Sequence, residues 1–147
     1  MTRETRPNAG PEIGVLVCDD NAEIRSILTE IIVLEPGLRI VGHARDGDEV
    51  ITKAKLLQPD VIILDLAMPN KSGLEALSEL ALAAPQAKTI VLSAYAAPSL
   101  VKEAMRRGAV KYIEKGNMMI DELVLAMRHA FETPSGIHAE QRGERAV

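Results

Sequence analysis

The chain has 147 residues, of which 47% are hydrophobic, and its formal net charge is −4 at pH 7. This length suits one domain with its own core and leaves little room for a second, while the acidic balance argues against a nucleic-acid-binding surface. The single cysteine, Cys18, excludes an internal disulfide and favours a reducing compartment. The N-terminus does not resemble a signal peptide, and no apolar run reaches the roughly 18 residues of a membrane helix. We therefore predict a soluble, cytoplasmic protein with no membrane partner.

Two polar segments flank the middle of the chain. Residues 1–12 contain almost nothing apolar, and residues 132–147 end in the similarly polar stretch TPSGIHAEQRGERAV. We predict that both are flexible tails and that residues 13–131 form one domain.

Between the tails, short apolar runs alternate with amphipathic stretches. The apolar runs are typical of buried strands and cover residues 13–18, 39–44, 61–65, 88–93 and 109–114. Helical patterns cover residues 21–35, 47–58, 72–84, 98–107 and 117–131. Asn21 is a plausible cap of the first helix, and Pro98 occupies a favoured first helical position in the fourth.

The helical spacing also predicts which side chains face inward. The expected inward residues are Ile24, Ile27, Leu28 and Ile31 in the first helix, Val50, Ala54 and Leu57 in the second, Leu74, Leu77 and Ala81 in the third, and Ile120, Leu123, Val124 and Met127 in the last.

The predicted strands are continuously apolar, as expected for parallel strands covered on both faces. Five such strands alternating with five helices predict a doubly wound α/β fold, with one parallel sheet flanked by helices. In such sheets, ligands bind beyond the carboxyl ends of the strands, where the strand order reverses.

Acidic residues occur at two of those strand ends. Asp19 and Asp20 follow the first predicted strand, and Asp65 closes the third. Three carboxylates at one edge would repel each other unless a divalent cation lay among them, and hard oxygen ligands suit Mg²⁺. The alternative for Asp19 and Asp20 is that they only begin the following helix, where acidic residues are common. Two acidic clusters in equivalent positions favour the metal site.

A hydroxyl and an ammonium occupy the remaining strand ends. Ser93 ends the fourth strand, and Lys115 follows the fifth. Each alone would be an ordinary loop serine or solvated lysine. Together with the carboxylates, they could contact an anion held near Asp65.

These residues carry a resemblance to a known family. The motifs CDD at 18–20, LDLAMPNKSG at 64–73, LSAY at 92–95 and GAVKYIEK at 108–115 resemble those of response-regulator receiver domains of two-component signalling. The resemblance covers about residues 13–131 and implies the flavodoxin-like receiver topology. Gly116 stands where many receivers have a proline, which favours the subfamily with LuxR-type output domains.

The resemblance implies a role for each site residue. It makes Asp65 the phosphoacceptor, Asp20 a direct Mg²⁺ ligand, Asp19 a ligand acting largely through water, and the Ala67 carbonyl a further ligand.

Four more residues gain roles from the same resemblance. Lys115 would contact the acyl phosphate, and Ser93 would be the switch hydroxyl that moves onto it. Tyr112 would be the switch aromatic that turns inward with Ser93. Pro69 and Gly73 would shape the loop after the acceptor.

The implied partner is a histidine kinase or phosphotransfer protein, and the implied cofactor is Mg²⁺. The domain would be a phosphoacceptor rather than an enzyme, although it assists its own phosphorylation and dephosphorylation. The surface of the fourth helix, fifth strand and fifth helix is the candidate for switching and for homodimer formation. Direct nucleic-acid binding by this chain is not expected.

Three alternatives stay open. The chain could be the receiver portion of a LuxR-type DNA-binding transcriptional regulator whose output domain is absent. It could be a Mg²⁺-dependent phosphatase with an aspartyl nucleophile, although such enzymes typically carry Asp-x-Asp after the first strand. It could also be a degenerate receiver acting as an adaptor, although such a site would lack key groups.

Overall fold

A computed structural model describes residues 12–132. Apart from Glu12 and Glu132, the two predicted tails lie outside the described residues. Glu132 is the last residue of the final helix, one position beyond the predicted domain end. Within the described range, no helix combines the length and the apolar character needed to cross a membrane.

Five strands and five helices alternate along the chain. The strands are β1 (Ile13–Cys18), β2 (Leu38–Ala44), β3 (Val61–Leu64), β4 (Lys88–Ser93) and β5 (Ala109–Glu114). The helices are α1 (Ala22–Leu34), α2 (Gly47–Leu57), α3 (Gly73–Ala83), α4 (Pro98–Arg106) and α5 (Ile120–Glu132), with a single 3₁₀ turn at Lys115–Asn117 before α5. The predicted order of elements is confirmed.

All five strands are parallel and lie in the order β2-β1-β3-β4-β5. The order reverses between β1 and β3, so the ends of these two strands form the position at which such sheets bind ligands. Cys18 pairs with Leu64 in the register of β1 and β3. The residues that follow, Asp19 and Asp65, therefore lie side by side. The doubly wound α/β prediction is confirmed.

Each face of the sheet is covered by its own hydrophobic core. Val61 and Ile63 of β3 pack against α1 and α5, whereas Ile62 and Leu64 pack against α2, α3 and α4. Alternate side chains of a strand point to opposite faces, so both sets are buried and the strand is apolar throughout. This packing holds the central strand, and with it Asp65, in a rigid frame.

The ends of the helices follow from their capping residues. The Asn21 side chain accepts hydrogen bonds from the backbone N–H groups of Glu23 and Ile24, at 2.8 and 3.1 Å, and begins α1 as predicted. Ser72 and Glu75 form a reciprocal capping box at the start of α3.

Some predicted inward residues are not buried. Ile27 is 50% exposed and Ile120 is 55% exposed, and Leu57 and Ala81 are exposed as well. In α1, Ile32 takes the buried position instead, because the inward stripe is centred on Leu28, Ile31 and Ile32 and leaves Ile27 at its rim. The last helix begins at Ile120 rather than at residue 117, because the chain first makes the 3₁₀ turn. Ile120 therefore lies in the first turn of α5, outside the core.

Candidate functional site

The backbone of the sheet places two carboxylates next to each other. The Asp65 N–H donates to the Cys18 carbonyl at 2.9 Å, and the Asp19 N–H donates to the Ala44 carbonyl at 3.0 Å. Asp19 and Asp65 are only 2% and 5% exposed, whereas Asp20 is exposed. One carboxylate oxygen from each of the three lies within 4.8 Å of the others. The predicted acidic cluster is therefore assembled at one sheet edge.

Lys115 joins the two buried carboxylates. Its Nζ lies 2.7 Å from Asp19 Oδ2 and 3.4 Å from Asp65 Oδ2. Lys115 directly follows β5, and its side chain reaches past the end of β4 to the acids. One ammonium cannot neutralise both carboxylates that it contacts, and the Asp20 carboxylate lies close to the same two acids.

Burial and the neighbouring charges shift the pKa values of Asp65 and Lys115. Burial, and then the Asp19 charge, raises the pKa of the Asp65 carboxyl above its ordinary value, although Lys115 and the Ala67 N–H oppose the rise. Burial alone would lower the pKa of Lys115. The hydrogen bond to Asp19 and the Asp65 charge outweigh it, so that the Lys115 pKa is raised. The site therefore carries uncompensated negative charge.

A hard divalent cation fits this site. Carboxylate oxygens are the preferred ligands of Mg²⁺, and one or two carboxylates suffice. Within residues 12–132, Asp19, Asp20 and Asp65 form the one group of three acidic or metal-binding side chains close enough to share an ion. Ala67 lies beside this group, because its N–H donates to Asp65 Oδ1 at 3.3 Å.

Ser93 contributes a buried hydroxyl without a partner. Its side chain is 1% exposed, and its Oγ makes no hydrogen bond of ordinary geometry within the described part of the chain, although it lies close enough to the Tyr112 hydroxyl to lower the pKa of that group. Buried hydroxyls are normally paired, so an orphaned one at a ligand-binding edge is a group available to a ligand. Ser93 ends β4, between the strands that carry Asp65 and Lys115.

Tyr112 connects β5 to the loop after β4. Its hydroxyl donates to the backbone carbonyl of Tyr95, two residues beyond Ser93. Burial raises the pKa of the Tyr112 hydroxyl, the nearby Ser93 hydroxyl opposes this rise, and the Asp65 charge adds to it. The Tyr112 hydroxyl is thus close enough to Ser93 and Asp65 for both to influence its pKa, although it donates its hydrogen bond to the Tyr95 carbonyl.

The start of the loop after Asp65 packs closely against Gly73, the first residue of α3. A side chain at Gly73 would lie 2.9 Å from the Leu66 Cα and closer still to the Asp65 carbonyl oxygen. The Gly73 N–H donates to the Leu66 carbonyl at 2.9 Å. Glycine is therefore needed there for space. No peptide bond between residues 12 and 132 is cis, which includes those at Pro69 and Gly116.

Sequence reasoning missed two features of the site. The Arg25 guanidinium donates to the Asp19 carbonyl at 2.7 Å. The N-terminal end of α2 contacts the loop after Asp65 through its cap Asp46 and its first residue Gly47. Both contacts join residues from different elements, and the local pattern carries no signal for them beyond the glycine itself.

Curated relatives with this sequence pattern come from chemotaxis and from gene regulation. A protein-glutamate methylesterase/protein-glutamine glutaminase of Thermotoga maritima is 43% identical over 70% of this chain and 30% of its own length. The chemotaxis protein CheY of the same organism is 39% identical over 69% of this chain and 83% of its own length. The uncharacterized transcriptional regulatory protein YxjL of Bacillus subtilis is 34% identical over 81% of this chain and 54% of its own length. The chain therefore spans about half or less of two of these three relatives.

Solved structures agree with the fold. The receiver domain of the putative response regulator NarL from Mycobacterium tuberculosis superposes with a TM-score of 0.80 at 25% identity, covering 85% of this chain and all of that one. A CheX–CheY–BeF3–Mg²⁺ complex from Borrelia burgdorferi contains a chain that superposes with a TM-score of 0.77 at 29% identity. The superposition covers 84% of this chain and 92% of that one. These neighbours include both NarL-type and CheY-like receivers.

The family pattern itself spans most of the described chain. The response regulator receiver domain matches residues 15–128, which include all five strands' carboxyl ends and the acidic cluster. The chain belongs to the response regulator receiver domain family.

Proposed function

We propose that this receiver accepts a phosphoryl group on Asp65 in a Mg²⁺-dependent reaction. The observation that carries the proposal is the buried Asp65 carboxylate, which lies beside Asp19 with the Lys115 ammonium 3.4 Å away. Asp65 directly follows β3, the central strand of the sheet, all four residues of which are buried, so its backbone is held firmly in place. Asp19 is engaged by the closer Lys115 contact at 2.7 Å and by the Asn21 N–H at 2.9 Å.

In the proposed reaction, the phosphoryl group passes from an imidazole nitrogen of the donor to a carboxylate oxygen of Asp65. An Asp65 carboxylate oxygen forms a bond to phosphorus as the bond from phosphorus to the donor imidazole nitrogen breaks, and the departing imidazole takes up a proton. Lys115 stabilises the charge on the transferring group. Water later attacks the phosphorus, which returns the Asp65 carboxylate and inorganic phosphate. The domain assists both steps but consumes no other substrate.

Asp19, Asp20, Asp65 and the Ala67 carbonyl would hold Mg²⁺. The cation would reduce the repulsion between the carboxylate and the anionic phosphoryl group and stabilise the charge of the transition state. The BeF3 and Mg²⁺ in the Borrelia burgdorferi CheY complex support a site of this type.

The phosphoryl donor is proposed to be a histidine kinase or a phosphotransfer protein, and the compartment the cytoplasm. The family supports the class of donor, and the single buried cysteine fits a reducing compartment. The cognate donor would need to place its phosphohistidine at the open side of the cluster, next to exposed Asp20.

Phosphorylation is proposed to change the surface through Ser93 and Tyr112. The unpaired Ser93 hydroxyl can donate to a phosphoryl oxygen, and Tyr112 links this change to the loop before α4. The surface of α4, β5 and α5 bears exposed apolar side chains, among them Met105, Val110 and Leu125. It is the proposed surface for protein contact or for a homodimer.

A transcriptional role is the second candidate. Its support is the 54% coverage of the regulatory protein YxjL and the fold shared with NarL, which fit a receiver that continues into a DNA-binding output domain. An aspartyl phosphatase is disfavoured by the placement of the lone acid after β3 and by the family match.

The decisive experiment for the proposal is phosphorylation by acetyl phosphate, followed by intact mass. The protein should gain one phosphoryl group when Mg²⁺ is present and none when Mg²⁺ is chelated. Asp65→Asn should gain none, whereas Asp121→Asn, at an exposed position in α5, should match the wild type. Wild-type labelling of Asp65→Asn would refute Asp65 as the acceptor, and many turnovers of a phosphate ester would favour the phosphatase.

A further inference from the structure

The loop after the acceptor contacts the N-terminal end of α2. We call Asp46, the N-terminal cap of α2, and Gly47, its first residue, the α2 corner, and residues 66–72 the acceptor loop. The Gly47 N–H donates to the Lys71 carbonyl at 2.7 Å, and the Asn70 side-chain amide donates to Asp46 Oδ2 at 3.0 Å. One backbone and one side-chain hydrogen bond therefore join the far part of the acceptor loop to the α2 corner.

Gly47 permits this contact because it has no side chain. A Cβ at this position would lie 2.7 Å from the Lys71 Cγ, 2.8 Å from its carbonyl carbon and closer still to the carbonyl oxygen. The glycines with positive φ among residues 12–132 are Gly37 and Gly108, so Gly47 is not needed for an unusual backbone conformation. It is needed for close approach of two backbones.

The side chain of Lys71 is held as well as its carbonyl. The ammonium pairs with Glu79 of α3 and lies 3.7 Å from Asp48 of α2. These pairs are partly solvated and contribute little energy individually. Their geometry nevertheless places Lys71 between α2 and α3. A side chain at position 47 would therefore push against a residue that is held on both sides, and the acceptor loop would have to shift.

The near part of the acceptor loop carries the metal-site groups. The Ala67 N–H donates to Asp65 Oδ1 at 3.3 Å, and the Leu66 carbonyl accepts from the Gly73 N–H at 2.9 Å. The short loop is therefore attached at Asp65, at Gly73 and at the α2 corner. Moving the third attachment would move Ala67 relative to Asp65.

We propose that Gly47 is a positioning residue for the metal site, acting through Lys71 to hold the acceptor loop in place. It touches neither the cation nor the phosphoryl group. The inference rests on the proposed Mg²⁺-dependent function. Outer contacts of metal ligands typically change metal affinity by about 10- to 100-fold when they are lost.

The test measures Mg²⁺ binding directly by isothermal titration calorimetry, alongside acetyl phosphate labelling at increasing Mg²⁺. Gly47→Ala should bind Mg²⁺ about tenfold more weakly or worse, and its labelling should require correspondingly more Mg²⁺. Labelling at saturating Mg²⁺ should return toward the wild-type rate. Gly116→Ala adds the same methyl group where nothing lies within 4 Å and should leave Mg²⁺ affinity unchanged.

A second variant covers the case in which Gly47→Ala does not fold. Asn70 has a φ of 64°, which glycine tolerates, so Asn70→Gly removes the amide bond to Asp46 without demanding a new backbone conformation. It should weaken Mg²⁺ binding several-fold at a temperature where circular dichroism shows a folded protein.

Two outcomes would overturn different claims. If the wild type binds Mg²⁺ and the folded variants bind it equally well, the positioning role of Gly47 is wrong and the proposed function stands. If the wild type itself neither binds Mg²⁺ nor accepts a phosphoryl group, the proposed function is wrong and the positioning role falls with it.

Discussion

The negative charge of Asp65 lowers the free energy of unfolding of the domain. Two unit charges less than 5 Å apart repel by roughly 3 kcal/mol at an effective dielectric constant of 20, and Lys115 offsets only part of this. We therefore expect Asp65→Asn to raise the free energy of unfolding at pH 7 by about 1–2 kcal/mol, measured by thermal unfolding without divalent cations. An unchanged or lower stability would show that Lys115 fully compensates the acids.

The same substitution should change the dependence of stability on pH. The folded-state pKa of Asp65 is raised from 3.8, so the folded protein holds this proton more firmly than the unfolded chain. The associated stability is fully present below pH 3.8 and is lost as the pH rises through the raised value. The advantage of Asp65→Asn should therefore be largest at neutral pH and shrink as the pH falls toward 3.8. A constant difference between pH 3.8 and 7 would contradict the raised pKa.

Lys115 should be required both for stability and for phosphorylation. Lys115→Gln leaves Asp19 and Asp65 without their shared counter-charge, and losing one partner of a buried pair is strongly destabilising. Because Lys115 is 21% exposed, we expect a loss of about 2 kcal/mol, together with slower labelling by acetyl phosphate. Lys102→Gln, at an exposed position in α4, is the matched control. Equal unfolding midpoints for the two variants would argue against the bridge.

The Ser93 hydroxyl should matter for switching and not for the stability of the fold. Ser93→Ala removes a buried hydroxyl that has no partner, so unfolding should change by no more than about 0.5 kcal/mol, even though the phosphorylated protein would lose the Tyr112 response in NMR spectra. A loss of more than 1 kcal/mol would instead indicate a hydrogen bond at Ser93.

At the scale of the elements, α3 begins with a capping box that also ends the acceptor loop. The Glu75 N–H donates to Ser72 Oγ at 3.1 Å, and the Ser72 N–H donates to Glu75 Oε1 at 2.9 Å. Ser72→Ala should lower the free energy of unfolding by about 1 kcal/mol in urea. Ser78→Ala, on the exposed face of the same helix, should change it little. Equal effects would mean that the cap contributes nothing.

The strands were predictable because burial on both faces leaves an uninterrupted apolar run. β1, β4 and β5 have the predicted limits, and β2 and β3 differ by one residue each. The start of α5 was not predictable, because Met118 and Met119, which lie between the 3₁₀ turn and α5, extend the apolar pattern of the helix toward its N-terminus. Spacing along a helix predicts the direction of its buried stripe but not its width, which explains why Ile27 is exposed, whereas Ile120 is exposed because it lies in the first turn of α5.

At the scale of the whole molecule, the parallel topology explains how much of the site was visible in the sequence. Every strand end lies at the same edge, so acidic, hydroxyl and ammonium groups after β1, β3, β4 and β5 could be expected together. The sequence could not specify that Lys115 bridges Asp19 and Asp65, or that Gly47 meets Lys71, because those contacts depend on how three elements pack.

The proposed function of the domain depends most on which carboxylate receives the phosphoryl group. The direct measurement is tandem mass spectrometry of peptides from protein treated with acetyl phosphate and Mg²⁺, with the acyl phosphate trapped before digestion. We predict modification of Asp65 alone, and only when Mg²⁺ is present. Modification of Asp19 or Asp20 with Asp65 unmodified, or labelling that persists after chelation of Mg²⁺, would contradict the account.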